Sequence, residues 1–259
     1  MSIVAWRPHP EGKSQSSAIN VPARSLYSLV GIMQTRYSGG VGDFGKFALL
    51  RHLMQGRRLA VCWYLTGAND HTTNHDRYFD YLTRPLAFRH LAPELYDQLV
   101  EFLRNRDALA DPLAALQSSG VLEDAIFIRR EVPKKASSRL LWAEGLVNSV
   151  RGANLVFLDP DNGIEGRRLT KRHAALAEIA ALRQKDRALI IGHHQSGRKA
   201  EVKYLADQMK SLGCDIVEIV RLRLVTSCLY VIVDPDSTMT ELAATFVRRW
   251  GSLARFYQF

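Results

Sequence analysis

The sequence predicts an α/β domain built on a doubly wound, mostly parallel sheet that ends in an antiparallel hairpin. Two observations carry that prediction. Short, nearly continuous apolar runs at residues 59–65, 154–158 and 187–191 alternate with amphipathic stretches, the pattern of strands buried on both faces and joined by helical crossovers. The last two apolar runs, 215–222 and 228–233, lie too close together for a crossover and must pair antiparallel.

Each element has its own local reason. Residues 1–25 are rich in Pro, Ser, Gly and charge without periodicity, and read as a loosely docked arm; residues 26–259 read as one domain. Residues 43–54 place Phe44, Phe47, Leu50 and Met54 at helical spacing, with Asp43 positioned to cap the helix and Gly56 to stop it. Strand 59–65 is broken by Thr66-Gly67-Ala68-Asn69-Asp70. Residues 71–120 are polar and read as a helical insertion, clearest at 93–106 where Pro93 opens the first turn. A strand at 125–129 and a helix at 137–150 follow. Beyond strand 154–158, helices are expected over 170–184, over 196–213 with Gly213 at its end, and over 238–250 as the final element.

Composition narrows the function classes. No apolar run in the 259 residues approaches the roughly 18 needed for a membrane span, so no membrane partner is expected. The N-terminus carries no apolar stretch of the signal-peptide kind, which points to a cytoplasmic protein. Cys62, Cys214 and Cys228 are widely spaced among apolar neighbours and form no C-x-x-C pair; they read as buried thiols. The net charge of +9 suits a polyanionic partner, because Arg and Lys displace counterions from phosphates.

In an open α/β sheet, ligands bind beyond the carboxyl ends of the strands. That rule singles out Thr66 to Asp70, Asp159 to Gly163, and Gly192 to Gly197. The loop Ser38-Gly39-Gly40-Val41-Gly42-Asp43 joins them, since its glycines admit a ligand and its amides open a helix N-terminus. In Asp159-Pro160-Asp161-Asn162-Gly163, two carboxylates and an amide sit on one turn at the end of a buried strand. Asp159 could accept a hydrogen bond from an exocyclic amine or bind a metal, with Asp161 as second ligand or base. The same residues are also ordinary turn formers. His193, His194 and Gln195 follow another buried strand, and the adjacent histidines point different ways, so at most one faces the cleft. Lys46 and Arg51 lie about 140° apart around their helix and cannot share a narrow stripe.

A sheet of this kind ending in a hairpin is the architecture of Rossmann-like methyltransferases, and the motifs sharpen the likeness. Tyr37, the glycine-rich stretch, the helix DFGKFALLRHL, a strand and Thr66-Gly67-Ala68 together resemble the opening of the bacterial 23S rRNA adenine-N6 methyltransferase family. Tyr37 falls on that family's tyrosine, Arg51 on its lysine and His52 on its histidine, while Asp159-Pro160-Asp161-Asn162 falls on its Asp-Pro-Pro-Tyr. The resemblance covers residues 37–70 and 154–234. It departs where Asp161 replaces proline, Asn162 replaces the aromatic that stacks on a flipped base, and Gly67 replaces histidine. Tyr37 and Trp63 are candidates for a substitute ring.

The resemblance implies that Asp159 binds the amino group of a target adenine and that residues near Arg51 and Gly67 touch S-adenosylmethionine. The expected function is therefore an S-adenosylmethionine-dependent methyltransferase acting on nucleic acid, with RNA the favoured substrate and a base amino nitrogen the acceptor. Asp159, Asp161 and Asn162 are its candidate catalytic residues. Tyr37, Gly39, Gly40, Asp43, Lys46, Arg51, Gly67 and Asn69 are candidates for the cofactor, and His193, His194 and Gln195 for the substrate. Two alternatives share the fold. One is a phosphodiester hydrolase holding a divalent metal on Asp159, Asp161 and His193; the other is a nucleic-acid-binding module without catalysis.

Overall fold

The computed structural model describes residues 38–66, 78–195, 200–225 and 227–259, so the expected arm over residues 1–25 lies outside the described residues. In chain order the elements are α1 (Val41–Leu53), β1 (Leu59–Leu65), α2 (Pro85–Phe88), α3 (Pro93–Asn105), α4 (Pro112–Ser118), β2 (Ile126–Glu131), α5 (Ala136–Ser149) and β3 (Leu155–Asp159). There follow β4 (Gly163–Ile164), β5 (His173–Ala174), α6 (Leu176–Leu182), β6 (Ala188–His194), α7 (Glu201–Ser211), β7 (Val217–Arg223), β8 (Ser227–Val233), α8 (Ser237–Trp250) and β9 (Ala254–Gln258).

The main sheet has seven strands in the order β2-β1-β3-β6-β8-β7-β9. Strands β2, β1, β3 and β6 are mutually parallel, β8 inserts antiparallel between β6 and β7, and β9 closes the edge antiparallel to β7. Five strands thus share one direction, and their carboxyl ends open on one side of the molecule. Alternation along β1 sorts the two cores. Leu59, Val61, Trp63 and Leu65 pack against α1, α3 and α8, whereas Ala60, Cys62 and Tyr64 face α5, α6 and α7. All seven residues of β1 are buried, which is why the run LAVCWYL shows no polar alternation. Among the described residues, no helix is long and apolar enough to cross a membrane.

Several boundaries differ from the sequence reading. Helix α1 begins at Val41 with Gly40 as N-cap, two residues before Asp43. Asp43 sits inside the first turn, where its carboxylate accepts the Gly39 N–H at 2.9 Å. Only Leu176–Leu182 of the expected helix 170–184 is helical. Upstream, the carbonyls that a helix needs are taken: Arg139 donates to Thr170 O at 3.1 Å and His173 O at 2.5 Å, and Asn162 N–H donates to Arg172 O at 2.8 Å. Helix α7 is described from Glu201, residues 196–199 being outside the described set. Strand β2 runs to Glu131 rather than stopping at 129, and helix α8 is followed by β9. The hairpin β7–β8 is therefore internal to the sheet instead of ending it.

The Arg139 clamp rests on a buried ion pair. Its guanidinium meets both Glu178 oxygens, at 2.5 and 3.1 Å, and Tyr64 donates to the same carboxylate at 3.0 Å from inside the sheet. Arg139 and Glu178 are 7% and 4% exposed, so removing one partner strands a charge away from water. Glu178→Ala is expected to cost about 3–5 kcal/mol, read as urea unfolding followed by tryptophan fluorescence. A loss below about 1 kcal/mol would show that the pair does not hold this region.

Candidate active site

A cavity of about 380 Å³ lies at the carboxyl edge of the sheet, bounded by the first turn of α1, the turn after β3, the end of β6 and the β7–β8 hairpin. Its size falls in the range of about 300–1,000 Å³ common for small-molecule sites. Gly40, Asp43, Lys46, Asp159, Asp161, Asn162 and His194 all line it, although they come from three separate stretches of sequence.

Phe44 positions α1 by packing among Tyr81, Tyr96 and Trp250, with ring centroids 5.5, 6.1 and 5.7 Å away. Tyr81 also donates its hydroxyl to Gly39 O at 2.8 Å, fixing the turn that enters the helix. Gly39 has φ +83°, a conformation glycine adopts without strain. One turn into the helix, the Lys46 ammonium contacts Asp43 and Asp159, each at 2.8 Å. Burial pushes the Lys46 pKa down, but the two carboxylates outweigh it and the net shift is upward, so this lysine stays charged.

Asp159 closes β3 opposite Trp63 of β1, and Asp161 accepts the Thr66 hydroxyl at 2.6 Å. The cavity wall therefore carries three carboxylates, Asp43, Asp159 and Asp161, against one ammonium. Withdrawal from bulk water lowers the pKa of His194, with Lys46 adding to the effect and Asp159 and Asp161 opposing it. Burial raises the Cys228 thiol to about 11, so it is protonated at neutral pH and offers no thiolate nucleophile.

Other candidates stand elsewhere. Arg51 does not line the cavity; its guanidinium donates to Val121 O at 2.6 Å, to Gly120 O at 3.0 Å and to the Gln98 side chain. That set joins α1 to α3 and to the end of α4. His193 lies behind the Asp159–Gly163 turn, where Nδ1 accepts Ile164 N–H at 3.1 Å and Nε2 faces Glu201 at 3.3 Å. Both of its nitrogens are engaged, so the set Asp159, Asp161 and His193 does not assemble. Among the described residues, no three His, Cys, Asp or Glu side chains cluster to hold a metal ion. Gln195 accepts the Ser227 hydroxyl at 2.7 Å. Tyr37, Gly67 and Asn69 lie outside the described residues.

Tyr78, Cys228 and Tyr230 line the cavity without having been singled out by sequence. For the last two, the signal was available in the hairpin. Because β8 runs antiparallel, its first residues stand beside the carboxyl end of β6, and Cys228 pairs with His194. Glu131, the last residue of β2, is exposed at the same end of the sheet beside Leu65; a strand ending at 129 hides it. No protein-family model matches the chain, and no curated protein matches it.

Gly163 is the position that the turn can least afford to change. Its φ is +116°, and a Cβ would fall 2.3 Å from His193 Nδ1 and 2.8 Å from His193 Cα. Gly163→Ala is expected to destabilise the protein by more than about 1 kcal/mol. Gly166→Ala, where a Cβ meets nothing within 4 Å, should stay within about 0.5 kcal/mol of wild type. Equal midpoints for the two variants in thermal unfolding would contradict the assignment.

Proposed function

We propose that the protein is an S-adenosylmethionine-dependent methyltransferase whose acceptor is an amino nitrogen of a base in nucleic acid, RNA being favoured. The observation that carries this reading is the acidic cavity centred on Asp159 in a chain of net charge +9. An excess of carboxylate suits a ligand with a positive centre, while the basic exterior suits a polyanion. The strand order, with an antiparallel strand inserted next to the last parallel one, supports the methyltransferase type of sheet.

The residues present fit the cofactor. The first amides of α1 have no side-chain cap, and a Cβ on Gly42 would meet nothing within 4 Å; such a helix start suits a carboxylate. Trp63 and Tyr78 line the cavity, and Glu131, exposed at the carboxyl end of β2 although not itself in the cavity wall, is the carboxylate that would bind a ribose diol. Bound there, S-adenosylmethionine supplies an electrophilic methyl group on sulfur. Asp159 would accept a hydrogen bond from the acceptor amine, hold its lone pair toward the methyl group and take the N–H proton released as the C–N bond replaces the C–S bond, so catalysis would be chiefly positioning. Lys46 fixes the Asp159 carboxylate for that task. Asn162 cannot stack on a base; Trp63 is buried against Phe127, so Tyr78 in the cavity wall takes that role.

Transfer of labelled methyl from S-adenosylmethionine to RNA tests the proposal. Asp159→Ala is expected to lower the rate by roughly a hundredfold or more and to lower the unfolding midpoint as well, since Lys46 is left with Asp43 alone. Asp159→Asn, which keeps the shape of the side chain, should lose the rate with the smaller loss of stability. Absence of saturable cofactor binding by the wild type at millimolar concentration overturns the proposal.

A further inference from the structure

The segment that follows the Asp159–Gly163 turn reads Glu165-Gly166-Arg167-Arg168-Leu169-Thr170-Lys171-Arg172, four cations against one carboxylate. It is neither helix nor strand, yet it is held at many points. Strands β4 and β5 pair at its two ends, Gly163 with His173 and Ile164 with Ala174. Glu165 N–H donates to Ala174 O at 2.9 Å, and Asn162 N–H to Arg172 O at 2.8 Å. The Lys171 ammonium reaches Thr66 O at the end of β1, and Arg139 grips the carbonyls of Thr170 and His173. The segment is thus a shelf braced from the core and joined through Asn162 to the cavity wall.

Among the described residues, two of its arginines lack the ion pairs that several other surface arginines make. Arg57, Arg89, Arg104, Arg129 and Arg183 each pair with a nearby carboxylate. Arg167 and Arg168 are exposed and make no ion pair among the described residues. Lys134 and Lys135 after β2, and Arg223 at the end of β7, are exposed at the same edge of the sheet. The opposite edge is mixed in charge, with Asp186, Asp215 and Asp234 beside Arg183, Lys185 and Arg187.

We propose that residues 165–172 form a docking shelf for the phosphodiester backbone of a nucleic acid, with Arg167 and Arg168 as its phosphate ligands. A planar guanidinium matches a phosphate with two parallel hydrogen bonds, and a pre-braced backbone loses little entropy on binding. A strand held there lies beside Asn162 and the cavity, where one base can leave the stack and enter. The inference rests on the methyltransferase reading for the fate of that base, but not for the docking itself.

The test is fluorescence anisotropy of the full chain, without cofactor, against a short labelled RNA hairpin and a DNA duplex of matching sequence, between about 50 and 200 mM salt. Arg167→Ala/Arg168→Ala is expected to reduce the slope of log K against log salt by about 1.4–1.8, two phosphate contacts at about 0.7–0.9 each. Affinity at about 0.1 M salt should fall by roughly tenfold or more. Lys185→Ala/Lys210→Ala removes the same charge from exposed positions near the opposite edge and should leave the slope unchanged. Equal slopes for the two double variants overturn the shelf, and the tighter of the two probes identifies the nucleic acid. Shelf-dependent binding without S-adenosylmethionine binding would sink the cofactor reading alone; cofactor binding without a shelf-dependent slope would sink the docking alone.

Discussion

The arrangement turns on Lys46. Its ammonium is largely removed from water, with 13% of the side chain exposed, and it bridges Asp43 of α1 to Asp159 of β3. An isolated ammonium at that depth would cost several kcal/mol, so the two carboxylates are a condition of its burial. The contact chain runs further in both directions. Asp43 holds Gly39 N–H, Tyr81 holds Gly39 O, and Tyr81 stacks on Phe44 of the same helix. The helix start, the segment between β1 and β2 and the end of the central strand are therefore fixed together, and Asp159 is set by contacts on each of them.

Around that bridge the protein separates its charges. Acidic groups gather inside the cavity, and Arg167 and Arg168 stand exposed on the braced segment beside it. The two environments suit ligands of opposite sign within reach of each other, which is what joining a sulfonium cofactor to a polyanionic acceptor requires. Buried pairs brace both: Lys46 with its two carboxylates on one side of the sheet, and Arg139 with Glu178 on the other.

Much of the sheet was legible because both of its faces are covered. The runs at 59–65, 154–158 and 187–191 have no polar alternation, and the spacing between the last two runs left only an antiparallel hairpin. What sequence could not give were features decided by partners far along the chain. The stretch 170–175 has helical periodicity, yet Arg139 and Asn162 take carbonyls a helix would use. Likewise Arg51 matches a cofactor-binding position in the resembling family, but here carbonyls at 120 and 121 take its guanidinium. Lys46 and His194 were legible as polar residues near strand and helix ends, and Asp43 as a neighbour of Lys46 one turn away; that Lys46 also bridges to Asp159 was not, because that acid lies 113 residues away. Tyr230 and Cys228 enter the cavity only through the antiparallel course of β8, which the carboxyl-end rule does not address.

The charge of the cavity gives the most direct test. S-adenosylmethionine and S-adenosylhomocysteine differ by one methyl group and one positive charge, so calorimetric titration of both compares the sulfonium with a neutral thioether in the same site. The account predicts saturable binding of each, and Asp161→Asn should weaken the sulfonium compound more than the thioether. No binding of either compound, or an equal change for both on Asp161→Asn, would contradict it.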